Sequence, residues 1–150
     1  LSFSADTQQK LPSLAFTTLE GPSRQLDAFV GKPTVVNLWA TWCPPCVREM
    51  PMLQQAQAQR PDVNFVFLNQ GESRAQVSAW LKLHGLPLDN VLLDDKRAAS
   101  AAFQQKGYPT TMFFQADGSL VSVRLGELSA ATLSDKLSLI AKVRTLEAAR

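Results

Sequence analysis

A buried strand that runs almost directly into a pair of cysteines constrains this chain more than any other feature. Residues 34–40 (TVVNLWA) form a nearly continuous apolar run, β-branched at its start. That pattern belongs to a short strand covered on both faces, as in a parallel sheet. After Thr41 comes Trp42-Cys43-Pro44-Pro45-Cys46. Over residues 44–60, Val47, Met50, Leu53 and Gln54 recur at spacings of three or four or close to them, with Met52 nearby, which predicts a helix. Pro44 and Pro45 open that helix, where a missing N–H costs little. Pro51 lies inside it and is expected to kink it.

The rest of the chain alternates in the same way. Residues 1–10 are polar and read as a loose arm. Leu14, Phe16 and Thr18 alternate with Ala15 and Thr17, a weak strand. Gly21-Pro22 and Gly31-Lys32-Pro33 bracket a turn-rich connector. Residues 65–68 (FVFL) predict a second buried strand. Ser73 with Gln76 forms a capping box for a helix through Val77, Trp80, Leu81 and Leu83 that ends near Gly85. Residues 91–93 predict a short strand, and the Ala-rich stretch 97–106 a helix stopped by Gly107. Strands at 111–114 and 120–125 are joined through Asp117-Gly118, a hairpin turn pair. Ser129 caps a last helix with Leu133, Leu137, Ile140 and Val143 on one face. The order β-β-α-β-α-β-α-β-β-α implies parallel pairs with a late antiparallel hairpin, hence an α/β fold with a mixed central sheet.

Length and composition narrow the function classes. A chain of 150 residues, 45% hydrophobic and 19% charged, predicts one domain, residues 1–150, with a core that needs no disulfide or metal. A net charge of +2 is not the footprint of a nucleic-acid binder. No apolar run approaches the ~18 residues of a membrane span. Two cysteines exclude a disulfide-rich mini-protein, and one histidine, His84, leaves too few ligands for a His-built zinc site. The first residue is Leu1, which predicts a mature or truncated chain from which a signal peptide or membrane anchor has been removed.

Both cysteines lie in the one motif. Cys43 falls at the predicted helix N-terminus, where unpaired N–H groups and the helix dipole favour negative charge and lower a thiol pKa. Cys46, one turn further in, is close enough to bridge and more shielded. The pair suits two-step exchange, in which Cys43 attacks a partner disulfide and Cys46 resolves the mixed disulfide. A purely structural disulfide would close only a four-residue loop and gain little from the unfolded chain. Zinc needs a second ligand pair, and covalent haem needs a histidine where Val47 stands. A Cu(I) site on the two thiolates would need His84 folded in as third ligand.

With these residues in place, the chain resembles the thioredoxin superfamily and, within it, the TlpA/ResA-like (DsbE/CcmG-like) branch of extracytoplasmic thiol–disulfide oxidoreductases. The resemblance runs from about Leu11 to the last helix. It is carried by Asn37-Leu38-Trp39-Ala40-Thr41-Trp42-Cys43-Pro44-Pro45-Cys46, by Arg48-Glu49-Met50-Pro51, by Gly107-Tyr108-Pro109-Thr110-Thr111 and by Asp117-Gly118. It implies a thioredoxin-like fold with an N-terminal β extension and a central αβ insert near residues 73–84 and 91–93. It implies a cis Tyr108–Pro109 bond facing the cysteines, which exposes the backbone of Tyr108 to a partner peptide. Trp42, Pro44, Tyr108, Pro109 and Thr110 are the implied substrate-binding residues.

Cytoplasmic thioredoxins carry a buried Asp where this chain has Asn37. The branch instead has a Glu three residues after the second Cys, matching Glu49. If partly buried, Glu49 would have a raised pKa and act as proton acceptor for Cys46. Its spacing also fits a solvated surface charge paired with Arg48 or a nearby Lys. The implied activity is reduction of protein disulfides in the periplasm or an equivalent space, often in cytochrome c maturation or metal-centre assembly. Electrons would come from a membrane thiol donor of the DsbD/CcdA type, with no cofactor, metal or nucleic acid. The alternatives are a disulfide oxidase or isomerase, a Cu(I)-binding metallochaperone-like module, and a chaperone-like peptide binder.

Two residues depart from the branch. Pro44 removes an N–H that could stabilise the Cys43 thiolate, and Tyr108 is bulkier than the small or β-branched residue expected there. Of the other residues, Trp39 and Trp80 are expected in the core and Trp42 at the surface. Phe65, Phe67, Phe113 and Phe114 are expected in the sheet, and His84 at a helix C-terminus in a capping or surface role. Lys142, Arg144 and Arg150 are expected on the solvated face of the last helix.

Overall fold

The computed structural model describes residues 9–141. The strands are β1 (Ala15–Thr18), β2 (Ser23–Gln25), β3 (Thr34–Trp39), β4 (Asn64–Gln70), β5 (Val91–Asp94), β6 (Thr110–Phe114) and β7 (Leu120–Leu125). The helices are α1 (Pro44–Gln59), α2 (Arg74–Leu83), α3 (Ala98–Ala102) and α4 (Ala130–Ile140), with a 3-10 turn at Leu26–Phe29. The strands form one mixed sheet in the order β2-β1-β5-β4-β3-β6-β7. The β3–β4 and β4–β5 pairs are parallel and the others antiparallel. This is the expected thioredoxin-like α/β fold. The β1–β2 hairpin is the N-terminal extension, and α2 with β5 is the central insert.

Every residue of β3 is buried, because the strand is covered on both faces. The period-2 alternation sorts its side chains between two cores. Val35 and Trp39 join Cys46, Met50, Leu53, Val77 and Leu133 under α1, α2 and α4. Val36 and Leu38 face the other way, against Leu26, Phe29, Ala99 and Phe103 of the 3-10 turn and α3. Asn37 shares the parity of Val35 and Trp39, so it is turned toward α1.

Several local expectations hold. Ser73 and Gln76 make both bonds of the capping box, and the Ser129 hydroxyl accepts from Thr132 N at 3.1 Å. Between β6 and β7 a turn closes from Gly118 N to Gln115 O at 2.9 Å, and Gly118 takes φ +92°, the left-handed residue after the turn. The helix α1 continues through Pro51 to Gln59.

Others give way to tertiary contacts. The connector read between Gly21 and Pro33 contains β2, an exposed strand with no apolar alternation to announce it; its Arg24 guanidinium lies 4.0 Å from the Phe29 ring centre. The helix α3 ends at Ala102, not near Lys106. Phe103 turns into the second core against Phe114, and Gln104 takes φ +55°, so burial of one aromatic overrides the helix propensity of the alanines. Trp80 is half-buried rather than core, and Leu83 is 81% exposed. Gln9 and Lys10, the described end of the expected arm, are held: Lys10 bridges Ser119, and Leu120 N donates to Gln9 O at 2.8 Å. Residues 1–8 of that arm, and Lys142, Val143, Arg144 and Arg150, lie outside the described residues. Among the described residues no helix is long and apolar enough to cross a membrane.

Candidate active site

Chain direction explains why two cysteines meet at the C-terminal end of a central strand. β3 delivers the chain to Trp39, a turn closes from Cys43 N to Ala40 O at 3.3 Å, and α1 starts at Pro44. Cys43 is the N-cap. Pro44 and Pro45 have no N–H, so the first amide that α1 can offer is that of Cys46, and it donates to Cys43 Sγ at 3.3 Å. The two cysteines form a disulfide with Cα atoms 5.3 Å apart. Cys43 keeps 3% of its surface exposed and Cys46 none, the expected asymmetry. A helix N-terminus of this kind stabilises a thiolate at the first cysteine.

Glu49 follows Cys46 by one helical turn on the inner face of α1 and is 2% exposed. Its Oε1 accepts from Asn37 Nδ2 at 3.0 Å and its Oε2 from Leu128 N at 2.7 Å. Burial pushes its pKa up to about 7. The two hydrogen bonds hold it from rising further, Glu127 nearby raises it and Arg124 lowers it. The surface-charge reading of Glu49 is overturned, because the side chain is buried and both its oxygens are bonded inside the fold; Arg48 pairs with Glu127 instead, at 2.8 Å.

Asn37 thus does more than replace a titrating residue. Its Nδ2 also lies 3.1 Å from Thr111 Oγ1 on β6, its register partner, while its Oδ1 has no partner among the described residues. A second carboxylate went unread in the sequence. Glu72, in the β4–α2 connection, is buried; its Oε1 accepts from Thr41 N and Asn69 Nδ2, both at 2.8 Å, and its Oε2 accepts from the Thr41 hydroxyl. It thereby ties down the residue before Trp42. No spacing or cap pattern marks Glu72, so only its position in the fold reveals it.

The Tyr108–Pro109 peptide bond is cis. Leu38 on β3 and Thr110 on β6 are register partners, so Pro109 lies at the same end of the sheet as the cysteine motif. Pro109 O accepts from Gly126 N at 2.8 Å, whereas Tyr108 N–H and C=O make no backbone bond within the described residues. The Tyr108 ring meets Trp42 edge-on, with centroids 5.9 Å apart.

Of the five residues expected to contact a substrate, Trp42 is 60% exposed, Pro44 is exposed and Tyr108 is half-buried. Pro109 is buried. Thr110 is also fully buried, with its hydroxyl donating to Gly107 O at 2.6 Å, so its side chain braces the cis-proline turn from inside and offers no contact surface.

No group of three His, Cys, Asp or Glu side chains among the described residues is placed to hold a metal. His84 caps the C-terminus of α2 as expected. Its Nδ1–H donates to Trp80 O at 2.8 Å and its ring stacks on Trp80 at 4.1 Å.

Comparison with known proteins agrees with this geometry. The sequence model of the Redoxin family matches residues 6–139. The chain is 30% identical over 135 residues to the thioredoxin-like protein YneN of Bacillus subtilis, covering 87% of this chain and 78% of that one. It is 30% identical over 131 residues to the thiol-disulfide oxidoreductase ResA of the same organism, covering 86% and 73%. Among solved structures, a secreted Mycobacterium tuberculosis disulfide oxidoreductase, homologous to Escherichia coli DsbE, superposes with a TM-score of 0.75 at 26% identity, covering 85% of this chain and 96% of that one.

Proposed function

We propose that this chain, which belongs to the Redoxin family, uses Cys43 and Cys46 to reduce disulfide bonds of other proteins outside the cytoplasm. It is a thiol–disulfide oxidoreductase of thioredoxin-like fold, and the observation that carries the reading is the Cys43–Cys46 disulfide at the start of α1, with a buried Glu49 of raised pKa one turn on.

In the reduced form, the Cys43 thiolate attacks one sulfur of a partner disulfide. The partner S–S bond breaks, its other sulfur leaves as a thiolate and takes up a proton, and a mixed disulfide with Cys43 remains. Cys46 passes its proton to the Glu49 carboxylate and attacks Cys43 Sγ. The first partner sulfur then leaves and takes the proton held by Glu49. Two electrons have passed to the partner, which has gained one proton from solvent and one from Cys46 by way of Glu49, and the chain is left with its own disulfide. With a pKa of about 7, Glu49 is present in both forms near neutrality, as a group that both takes and returns a proton must be. The free backbone of Tyr108, beside Trp42, is the place for an extended partner segment to pair.

The resemblance to the TlpA/ResA-like branch extends the proposal to cytochrome c maturation, to a membrane dithiol donor of the DsbD/CcdA type that restores Cys43 and Cys46, and to a periplasmic or equivalent location. The Cu(I) alternative gains no third ligand, because no His, Asp or Glu among the described residues groups with the two cysteines as a metal site would require.

The deciding measurement is the reduction potential of the couple, obtained by equilibration in a graded thiol–disulfide buffer. A value near that of thioredoxin, about −270 mV, supports a reductase, and one near about −120 mV assigns disulfide formation instead.

A further inference from the structure

Behind the cis-proline turn, on the side away from the cysteines, a line of buried polar groups crosses the molecule. It starts at Asp94 at the end of β5, whose carboxylate accepts from Ala98 N and Ala99 N at 2.8 and 2.9 Å. Asp94 Oδ2 also accepts from Gln70 Nε2 at 3.0 Å. Gln70 Oε1 in turn accepts from the Ser100 hydroxyl at 2.7 Å, and Ser100 Oγ lies 3.2 Å from the Tyr108 phenol oxygen. Asp94, Gln70 and Ser100 are all buried.

The direction of every bond is forced. The Gln70 amide nitrogen also lies 3.3 Å from Leu68 O, a carbonyl that can only accept, so the amide must turn its nitrogen to Leu68 and Asp94 and its oxygen to Ser100. Ser100 has one hydroxyl hydrogen and spends it on Gln70. The Tyr108 phenol must therefore donate to Ser100, and it has one favourable position. A buried polar chain of this kind is costly unless complete, and a complete one is rigid. Its one half-exposed end is Tyr108, the residue whose ring supports Trp42 beside Cys43.

We propose that Ser100, Gln70 and Asp94 are positioning residues for partner recognition: through the Tyr108 phenol they hold the Tyr108–Trp42 pair as a fixed aromatic wall that protein disulfides use and small disulfides do not. This rests on the protein-reductase reading above. Trp42 is 60% exposed and has no other ring partner among the described residues, so the order of the wall comes from the anchored tyrosine. An aromatic surface fixed in advance lowers the ordering cost when a polypeptide docks. A small aromatic disulfide that reaches Cys43 Sγ directly gains nothing from it.

The test compares wild type with Tyr108→Phe, Ser100→Ala and the double variant. Each reduced protein is reacted with insulin as the protein disulfide and with 5,5′-dithiobis(2-nitrobenzoate) as the small one. The expected result is a loss of about 3- to 10-fold in rate on insulin for either single variant, the scale of one hydrogen bond. In Ser100→Ala the small disulfide should react at the wild-type rate and the reduction potential should not move, and on insulin the double variant should be no worse than a single one, because both remove the same link. Equal losses of Ser100→Ala on both substrates, losses on insulin that add, or no loss on insulin each overturn the proposal. Tyr108→Phe removes a single oxygen from a half-buried ring, so it keeps the test open should Ser100→Ala fail to fold. A wild-type protein that reduces the small disulfide but not insulin overturns the protein-reductase reading and this proposal together. Wild-type activity on insulin that both variants match overturns only the positioning role.

Discussion

The side-chain amide of Asn37 donates to the carboxylate of Glu49 across 3.0 Å of buried space. The two residues are twelve apart in sequence and on different elements. Asn37 is on the α1-facing side of β3, and Glu49 is on the sheet-facing side of α1. The bond lowers a pKa that burial raises, so Asn37, with the Leu128 amide, helps set where the Glu49 carboxyl titrates.

Removing that donor should therefore shift the titration. In Asn37→Ala the Glu49 pKa should rise above its value of about 7. A bond to a charged group is worth about 1.5–3 kcal/mol, so a rise of roughly one to two units is expected. The pH profile of mixed-disulfide resolution reads it directly. A profile unchanged from wild type would show that Glu49 does not take the Cys46 proton.

Glu49→Gln should remove the same limb of the profile and also change stability with pH. Glu49 has a folded pKa of about 7 against an ordinary 4.5. Below pH 4.5 it is protonated in both states and costs nothing by ionisation. As pH rises through that window, the unfolded chain loses the proton while the folded one keeps it, so wild-type stability falls and levels off above about pH 7. The substitution escapes this fall. Urea midpoints of the oxidised proteins at pH 4.5 and pH 8 should differ in favour of Glu49→Gln at the higher pH, by a margin on the order of 3 kcal/mol. A gap that shrinks with rising pH would contradict the burial argument.

The two cysteines should fail in different ways. Cys43 holds the exposed 3% and the Cys46 amide bond, so Cys43→Ser should abolish turnover. Cys46 is fully buried, so Cys46→Ser should still react once and then stall as a mixed disulfide visible by mass spectrometry. Retained turnover in Cys43→Ser would rule out exchange through this pair.

Glu72 gathers Thr41 N–H, the Thr41 hydroxyl and the Asn69 amide on one carboxylate. Glu72→Leu would leave these donors without their acceptor, at a cost of about 1–3 kcal/mol for each that stays buried. A loss above 2 kcal/mol in the denaturation midpoint is expected, with lower activity as the loop before Trp42 relaxes. A midpoint within experimental error of wild type would remove Glu72 from the support of the motif.

What lies within a few residues along the chain was legible. The buried run of β3, the cysteines at the start of α1, the Ser73 and Ser129 caps and the glycine-dependent turn at Gly118 each depend on local periodicity or one turn of backbone geometry. The cis bond at Pro109 and the burial of the Glu49 carboxylate were legible only through the family resemblance, and the local residues alone left both open.

The sequence by itself determined the order of the elements other than β2, their apolar faces and the presence of a redox-competent cysteine pair, because each is encoded in spacing that a short segment satisfies alone. Only the tertiary structure decided which polar groups meet. The register of β3 with β6 sets Asn37 beside Thr111, and the packing of α1 on the sheet brings it to Glu49. The fold of the β4–α2 connection takes Glu72 to Thr41, 31 residues away. The burial of Phe103 shortens α3, and the same element carries Ser100 to Tyr108. Such bonds join residues that no period relates. They form because a buried donor or acceptor must find a partner, and the assembled core decides which one is within reach.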